Sequence, residues 1–293
     1  MSITAEDFHW TAADGLRLAG CVWHPPGEVP GAVPLICLPG LSRNTRDFAD
    51  VGQALAANGR KVYALDYRGR GRSDWDPNWT NYSLPVEASD IALFLAQAAL
   101  PRFAVLGTSR GGLHAMMMAA QIPREIFCAA ILNDVGPRIE LGALLEIRDS
   151  FAARRVYASF EDVAATLKST LARDFPKIDD AGWLKFARQA GRATQEGVIF
   201  DHDPALDKPM EAITADTPWP ELWPLFAPLL DRPVLVLRGA NSRLLTQATL
   251  QEMAATHPDL SSLTIPDEGH APLLWDNLSQ RAIEDFLRAR VDG

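Results

Sequence analysis

The sequence predicts an α/β protein built on a mostly parallel sheet with helices on both faces. Three observations predict it. Short runs that are apolar throughout recur along the chain. Segments with helical spacing separate them. One long stretch, from Pro137 to about Ala227, breaks that alternation with helical patterns of its own. A strand buried on both faces reads as a continuous apolar run, and helical crossovers between such strands make the sheet parallel and cover it on both sides.

The elements follow in order. Phe8 to Thr11 and Leu16 to Trp23 alternate apolar and polar residues around Asp14-Gly15, a β-hairpin signature. Continuous strands are expected at Val33 to Leu38, Val62 to Leu65, Phe103 to Leu106, Phe127 to Leu132, Val234 to Leu237 and Leu260 to Ile265. Helices are expected near Phe48 to Asn58, Pro85 to Ala99, Arg110 to Gln121, Thr246 to Ala255 and Ser279 to Arg290, with Asp47 and Thr246 as candidate caps. The interrupting stretch carries helical patterns near Leu141 to Ser150, Phe160 to Phe175 and Gly182 to Gly191, then prolines at 204, 209, 218, 220 and 224. The implied division is a core of residues 1–136 and 228–293 with an insertion of residues 137–227.

Bulk properties narrow the function. A net charge of −9, from 28 basic and 37 acidic residues, argues against a broad nucleic-acid interface. No apolar run approaches the roughly 18 residues that a membrane span needs. The first residues, Met-Ser-Ile-Thr-Ala-Glu-Asp, lack the basic and apolar regions of a signal peptide, so the expectation is a soluble cytoplasmic protein. Cys21, Cys37 and Cys128 are odd in number and widely spaced. They are expected as buried thiols, with no zinc spacing and no disulfide frame. His202 between Asp201 and Asp203 resembles a metal cluster on paper, but no distant ligand is evident and a solvated loop is expected. No metal and no cofactor are implied, the partner is a small-molecule substrate, and the oligomeric state stays open.

The chemistry concentrates at Phe103-Ala-Val-Leu-Gly-Thr-Ser-Arg-Gly-Gly112. An apolar strand runs into G-x-S-x-G and then into a helix-forming segment. The turn is tight, and glycines at 107 and 111 let the helix pass close to the strand. Such a turn holds the Ser109 oxygen clear of the backbone, where a base can reach it. Serine is a weak nucleophile until a base removes its proton.

Four further motifs stand around that turn: Pro34-Leu-Ile-Cys-Leu-Pro-Gly-Leu41, Asp66-Tyr-Arg-Gly-Arg-Gly-Arg-Ser73, the run ending Asn133-Asp134, and Asp267-Glu-Gly-His-Ala-Pro272. With it, and in this order, they resemble the α/β-hydrolase family over nearly the whole length. The family's usual His-Gly at the oxyanion loop is Pro39-Gly40 here. The resemblance implies an α/β-hydrolase fold with a helical cap insertion and a chain order of nucleophile, acid and histidine. It implies Ser109 as nucleophile and His270 as base. Many members carry the acid after the seventh strand, where this chain has Asn241-Ser242-Arg243. Others carry it at the end of the sixth, where Asp134 stands. Asp134 is therefore the expected acid, with Asn241 as the fallback, and Glu268 disfavoured by its closeness to His270. The oxyanion donors are expected at the backbone N–H groups of Leu41 and Arg110. The Arg110 side chain is expected to meet a structural carboxylate or a substrate carboxylate, and Arg43 and Arg46 carry the same two alternatives. Of the aromatics in the insertion, Phe151, Tyr157, Phe160, Phe175, Trp183, Phe186, Trp219 and Trp223, most are expected in its own core and its seam with the sheet and a few against the substrate, with Trp183, Trp219 and Trp223 named for substrate contact. The expected activity is a serine hydrolase cleaving an ester-type acyl bond of a small, largely apolar substrate through an acyl-enzyme. A lactonase or carbon–carbon bond hydrolase would use the same triad. A ligand receptor that binds without turnover is the alternative of another class.

Overall fold

The hairpin at the start forms as β1 (Glu6–Thr11) and β2 (Arg17–Trp23), paired antiparallel in the computed structural model, which describes residues 3–27, 29–150, 156–218 and 220–292. Then come β3 (Leu35–Leu38), α1 (Ala49–Ala57), β4 (Val62–Asp66), α2 (Leu84–Ala98), β5 (Phe103–Thr108), α3 (Arg110–Ala119) and β6 (Phe127–Asn133). The inserted stretch holds α4 (Leu141–Ser150), α5 (Phe160–Leu171), α6 (Asp180–Ala190), β7 (Gly191–Thr194), β8 (Gly197–Phe200) and the short α7 (Lys208–Glu211) and α8 (Trp223–Phe226). After it come β9 (Val234–Gly239), α9 (Gln247–Thr256), β10 (Leu260–Ile265) and α10 (Asn277–Arg290).

Eight strands form one sheet in the order β1-β2-β4-β3-β5-β6-β9-β10. β2 pairs antiparallel with β4, and every pairing from β4 through β10 is parallel. Alternation along each strand then sends successive side chains to opposite faces. Leu35 and Cys37 of β3 pack with Leu55 of α1 and Ile283 of α10, whereas Ile36 and Leu38 pack with Ile91 of α2 and Met116 of α3. Both faces are therefore dry, which is why these strands read as unbroken apolar runs. The three cysteines are buried and unpaired, and burial pushes the Cys37 thiol well up. Among the described residues no helix is long and apolar enough to cross a membrane.

The insertion has its own small core, in which Val163, Phe175, Trp183, Phe186 and Val198 pack together. It is not purely helical, contrary to the expectation. β7 and β8 pair antiparallel across a turn closed by Gly197, whose φ of +139° suits glycine. Two four-residue strands offer too short a pattern for periodicity to register. The caps divide. Thr246 caps α9 by accepting from the Thr249 N–H. Asp47 caps nothing: Asn44 caps a 3-10 turn ahead of α1, and the Asp47 carboxylate takes the Arg43 guanidinium instead.

Candidate active site

Ser109 stands between β5 and α3 with φ 51° and ψ −112°, a sparsely populated conformation for a residue with a side chain. Such a backbone costs on the order of 1–3 kcal/mol and persists only where its surroundings over-determine it. The surroundings here are two glycines. A Cβ on Gly107 would lie 2.3 Å from the Gly111 carbonyl carbon, and one on Gly111 would lie 2.1 Å from the Leu38 oxygen. The helix thus passes so close to β5 and β3 that neither position admits a side chain. The Ser109 N–H donates to the Asn133 oxygen at 2.9 Å, which ties the turn to the end of β6.

His270, on the loop after β10, bridges the two strand ends. Its Nε2 lies 2.9 Å from Ser109 Oγ and its Nδ1 lies 2.8 Å from Asp134 Oδ2. A carboxylate can only accept, so Nδ1 carries the proton and Nε2 is left to accept from the serine hydroxyl. Asp134 is fully buried, with φ 59°. Its Oδ1 accepts from the Gly239 N–H at 3.0 Å, and Oδ2 also accepts from Ser242 Oγ at 2.5 Å. The loop after β9 thus supplies a hydroxyl to the carboxylate of β6, a partner that sequence reasoning missed. The available signal was a hydroxyl residue in a loop without a carboxylate. Asn241 turns away and donates to the Asp174 oxygen. Glu268 accepts from the Leu273 N–H at 2.8 Å, and burial, with Asp276 nearby, pushes its carboxyl up to about 7.

Leu41 and Arg110, expected as the oxyanion donors, stand on the loop after β3 and at the start of α3. Gly40 lies near enough that its Cβ would stand 3.9 Å from that of Ser109, and Arg110 begins α3. Among the described residues neither N–H has an acceptor within the protein. The Arg110 side chain takes the structural alternative: its Nε donates to Glu87 Oε2 at 2.7 Å. So do the other two arginines. Arg43 pairs with Asp47 and stacks over Phe186 at 4.7 Å, and Arg46 pairs with the buried Asp201.

Above the serine lies a cavity of about 760 Å³ between the sheet and the insertion. Ser109, His270 and Leu41 line its floor, and Tyr157, Phe186 and Phe200 line it from the insertion. The tryptophans depart from expectation. Trp183 is buried behind Phe186, stacked on it at 6.2 Å in the insertion's core. Trp223 packs edge-on against Phe226, against the core on the α2 and α3 face of the sheet. Neither lines the cavity. One helical turn separates Trp183 from Phe186, and the shorter ring takes the place at the cavity wall. Trp219 and Phe151 lie outside the described residues. His202 departs too: it lines the cavity and stacks on Phe200, and its neighbours Asp201 and Asp203 are buried. Burial, with Arg70 and Arg43 nearby, pushes its imidazole down to about 4, so it is neutral at pH 7. No group of three or more acidic, histidine or cysteine residues fit to hold a metal occurs among the described residues.

A family model of the α/β hydrolase fold matches residues 33–277. The chain is 33% identical over 263 residues to the 3-hydroxybutyrate-oligomer hydrolase of Cupriavidus necator, covering 87% of this chain and 88% of that one. It is 30% identical to a pimeloyl-(acyl-carrier protein) methyl ester esterase of Xanthomonas axonopodis pv. citri, over 86% and 94% of the two chains. The crystal structure of an α/β hydrolase from Novosphingobium aromaticivorans matches with a TM-score of 0.90 at 37% identity, over 98% of this chain and 99% of that one.

Proposed function

The chain belongs to the α/β-hydrolase family, and from that premise we propose that it is a serine hydrolase cleaving ester bonds through an acyl-enzyme. The observation that carries this is the unbroken hydrogen-bond chain Ser109–His270–Asp134 at the floor of the cavity. Ser109 Oγ attacks the ester carbonyl carbon while His270 Nε2 takes the hydroxyl proton. The N–H groups of Leu41 and Arg110 hold the oxyanion. His270 then returns the proton to the departing alcohol. In the second half His270 takes a proton from water, the resulting hydroxide attacks the acyl carbon, and Ser109 leaves with the proton. Asp134 fixes the imidazole tautomer and stabilises the imidazolium. A receptor without turnover has no need of this alignment.

The substrate we propose is a short linear ester with apolar spacing between its carbonyls, such as an oligomer of a hydroxyalkanoic acid. Two facts support it. The cavity, at about 760 Å³, exceeds what a lone short acyl group fills, and its apolar rings are interspersed with Ser42, Thr166, Thr170 and Gln189. The relative from Cupriavidus necator, 33% identical, is named for hydrolysis of such oligomers. The test is a panel of hydroxybutyrate dimer and trimer, simple methyl esters, a γ-lactone and a vinylogous diketone. The oligomers are expected to give the highest kcat/KM. A lactone or diketone at the top would move the reading to the lactonase or carbon–carbon hydrolase that uses the same residues.

A further inference from the structure

Behind the nucleophile lies a fully buried carboxylate that the hydrolytic steps do not use. Glu87 of α2 is 0% exposed. Its Oε2 accepts from Arg110 Nε at 2.7 Å and from His114 Nε2 at 3.0 Å, and its Oε1 meets Arg70 Nη1 at 2.9 Å. Arg70 is equally buried, held between the rings of Tyr67 and Tyr82, and its Nε donates to the Leu41 carbonyl oxygen at 2.8 Å. One carboxylate therefore reaches both residues proposed as oxyanion donors. It reaches Arg110 directly and Leu41 through Arg70.

We propose that Glu87 is the positioning residue of the oxyanion hole, locking the Leu41 and Arg110 peptides at the spacing that a tetrahedral intermediate requires. This inference rests on the hydrolase reading above. Stability alone does not account for the cluster. Buried charges are costly unless every polar atom is satisfied. Yet Tyr67 Oη, Arg70 Nη2 and His114 Nδ1 have no hydrogen-bond partner among the described residues. Burial alone would push the Glu87 carboxyl up. The Arg70 and Arg110 guanidiniums and the His114 hydrogen bond outweigh it, and the group stays ionised. A neutral, apolar cluster would pack at lower cost but would not hold two arginines by their charge.

Glu87→Gln keeps the shape and removes the charge. We expect kcat on a nitrophenyl ester to fall about 10- to 100-fold with KM changed by less than about threefold, the signature of an interaction made in the transition state. A trifluoromethyl ketone, which adds reversibly to the serine as a tetrahedral oxyanion, should lose affinity by the same factor as kcat. The matching trifluoromethyl carbinol, which forms no oxyanion, should keep its affinity. Asp90→Asn is the control. Asp90 is buried on the same helix and its carboxylate takes the Arg68 guanidinium, while Arg68 meets Arg70 through its backbone oxygen, which the substitution leaves in place. It should lower stability without changing the ratio of the two inhibitor affinities. If Glu87→Gln fails to fold, Arg110→Gln is read with the same inhibitors, and a fall in that ratio is again expected. An unchanged ratio in the folded variant, whatever its stability, overturns the inference. A wild-type protein that turns over no ester overturns the hydrolase reading and this inference with it, whereas an active wild type with an insensitive ratio overturns only this inference.

Discussion

Asp134 uses both carboxylate oxygens inside the protein: Oδ1 accepts from the Gly239 N–H, and Oδ2 from the Ser242 hydroxyl and His270 Nδ1. With every acceptor engaged and no solvent contact, it holds the imidazole in one tautomer. Asp134→Asn places an N–H donor against Nδ1 and favours the tautomer whose Nε2 cannot accept from Ser109. We expect kcat to fall about 10³- to 10⁴-fold, while Asn241→Ala, whose amide bonds the Asp174 oxygen away from the imidazole, keeps kcat within about threefold. Steady-state kinetics on the two variants checks this, and near-normal turnover in Asp134→Asn would move the orienting role elsewhere. Ser109, Asp134 and His270 were legible in the sequence because they stand in a recognisable order, Ser109 and Asp134 directly after apolar strands and His270 in the loop after Leu260–Ile265. Ser242 was not, because nothing in Asn-Ser-Arg distinguishes a hydroxyl aimed at a carboxylate from one aimed at solvent.

At the scale of elements, the site depends on turns. β5 to α3 is held by the two glycines that let backbone meet backbone. The loop after β10 is held by Glu268, which closes residues 268–273 by accepting from the Leu273 N–H and so sets the place of His270 between them. Burial raises the Glu268 carboxyl from its ordinary 4.5 to about 7. The folded protein therefore keeps this proton where the unfolded chain has lost it. The contribution to stability is fully present below about pH 4.5, declines as pH rises, and is gone above about pH 7. Glu268→Gln removes the titration. Relative to wild type, the variant should gain about 2–3 kcal/mol between pH 4.5 and pH 8, read by urea unfolding at both pH values. Parallel stabilities would show that the carboxyl titrates normally. The parallel strands β3, β4, β5, β6 and β9 were legible for the same reason that they are stable, burial on both faces. β7 and β8 were not, since four residues define no period.

Across the whole molecule, the insertion is fastened to the core beside the site. Arg46 pairs with Asp201, the Asn44 amide donates to the Gln189 oxygen, and the Tyr82 hydroxyl bonds Asp203. These contacts join segments far apart in sequence. For that reason neither the buried state of Asp201 and Asp203 nor the approach of His202 to the cavity could be read from the sequence. Nor could the exchange of Trp183 for Phe186 at the cavity wall, because which ring of one helix face meets a cavity is decided by the partner surface. On the proposed mechanism all these parts converge on one event, the transfer of an acyl or phosphonyl group to Ser109 Oγ. The most direct measurement is intact-mass and peptide analysis of the protein after reaction with a fluorophosphonate, alongside Ser109→Ala. One adduct per chain is expected, on the peptide carrying Ser109, with none on the folded alanine variant and hydrolysis reduced at least about 10⁴-fold. An adduct on another residue, or turnover surviving in Ser109→Ala, would contradict the account.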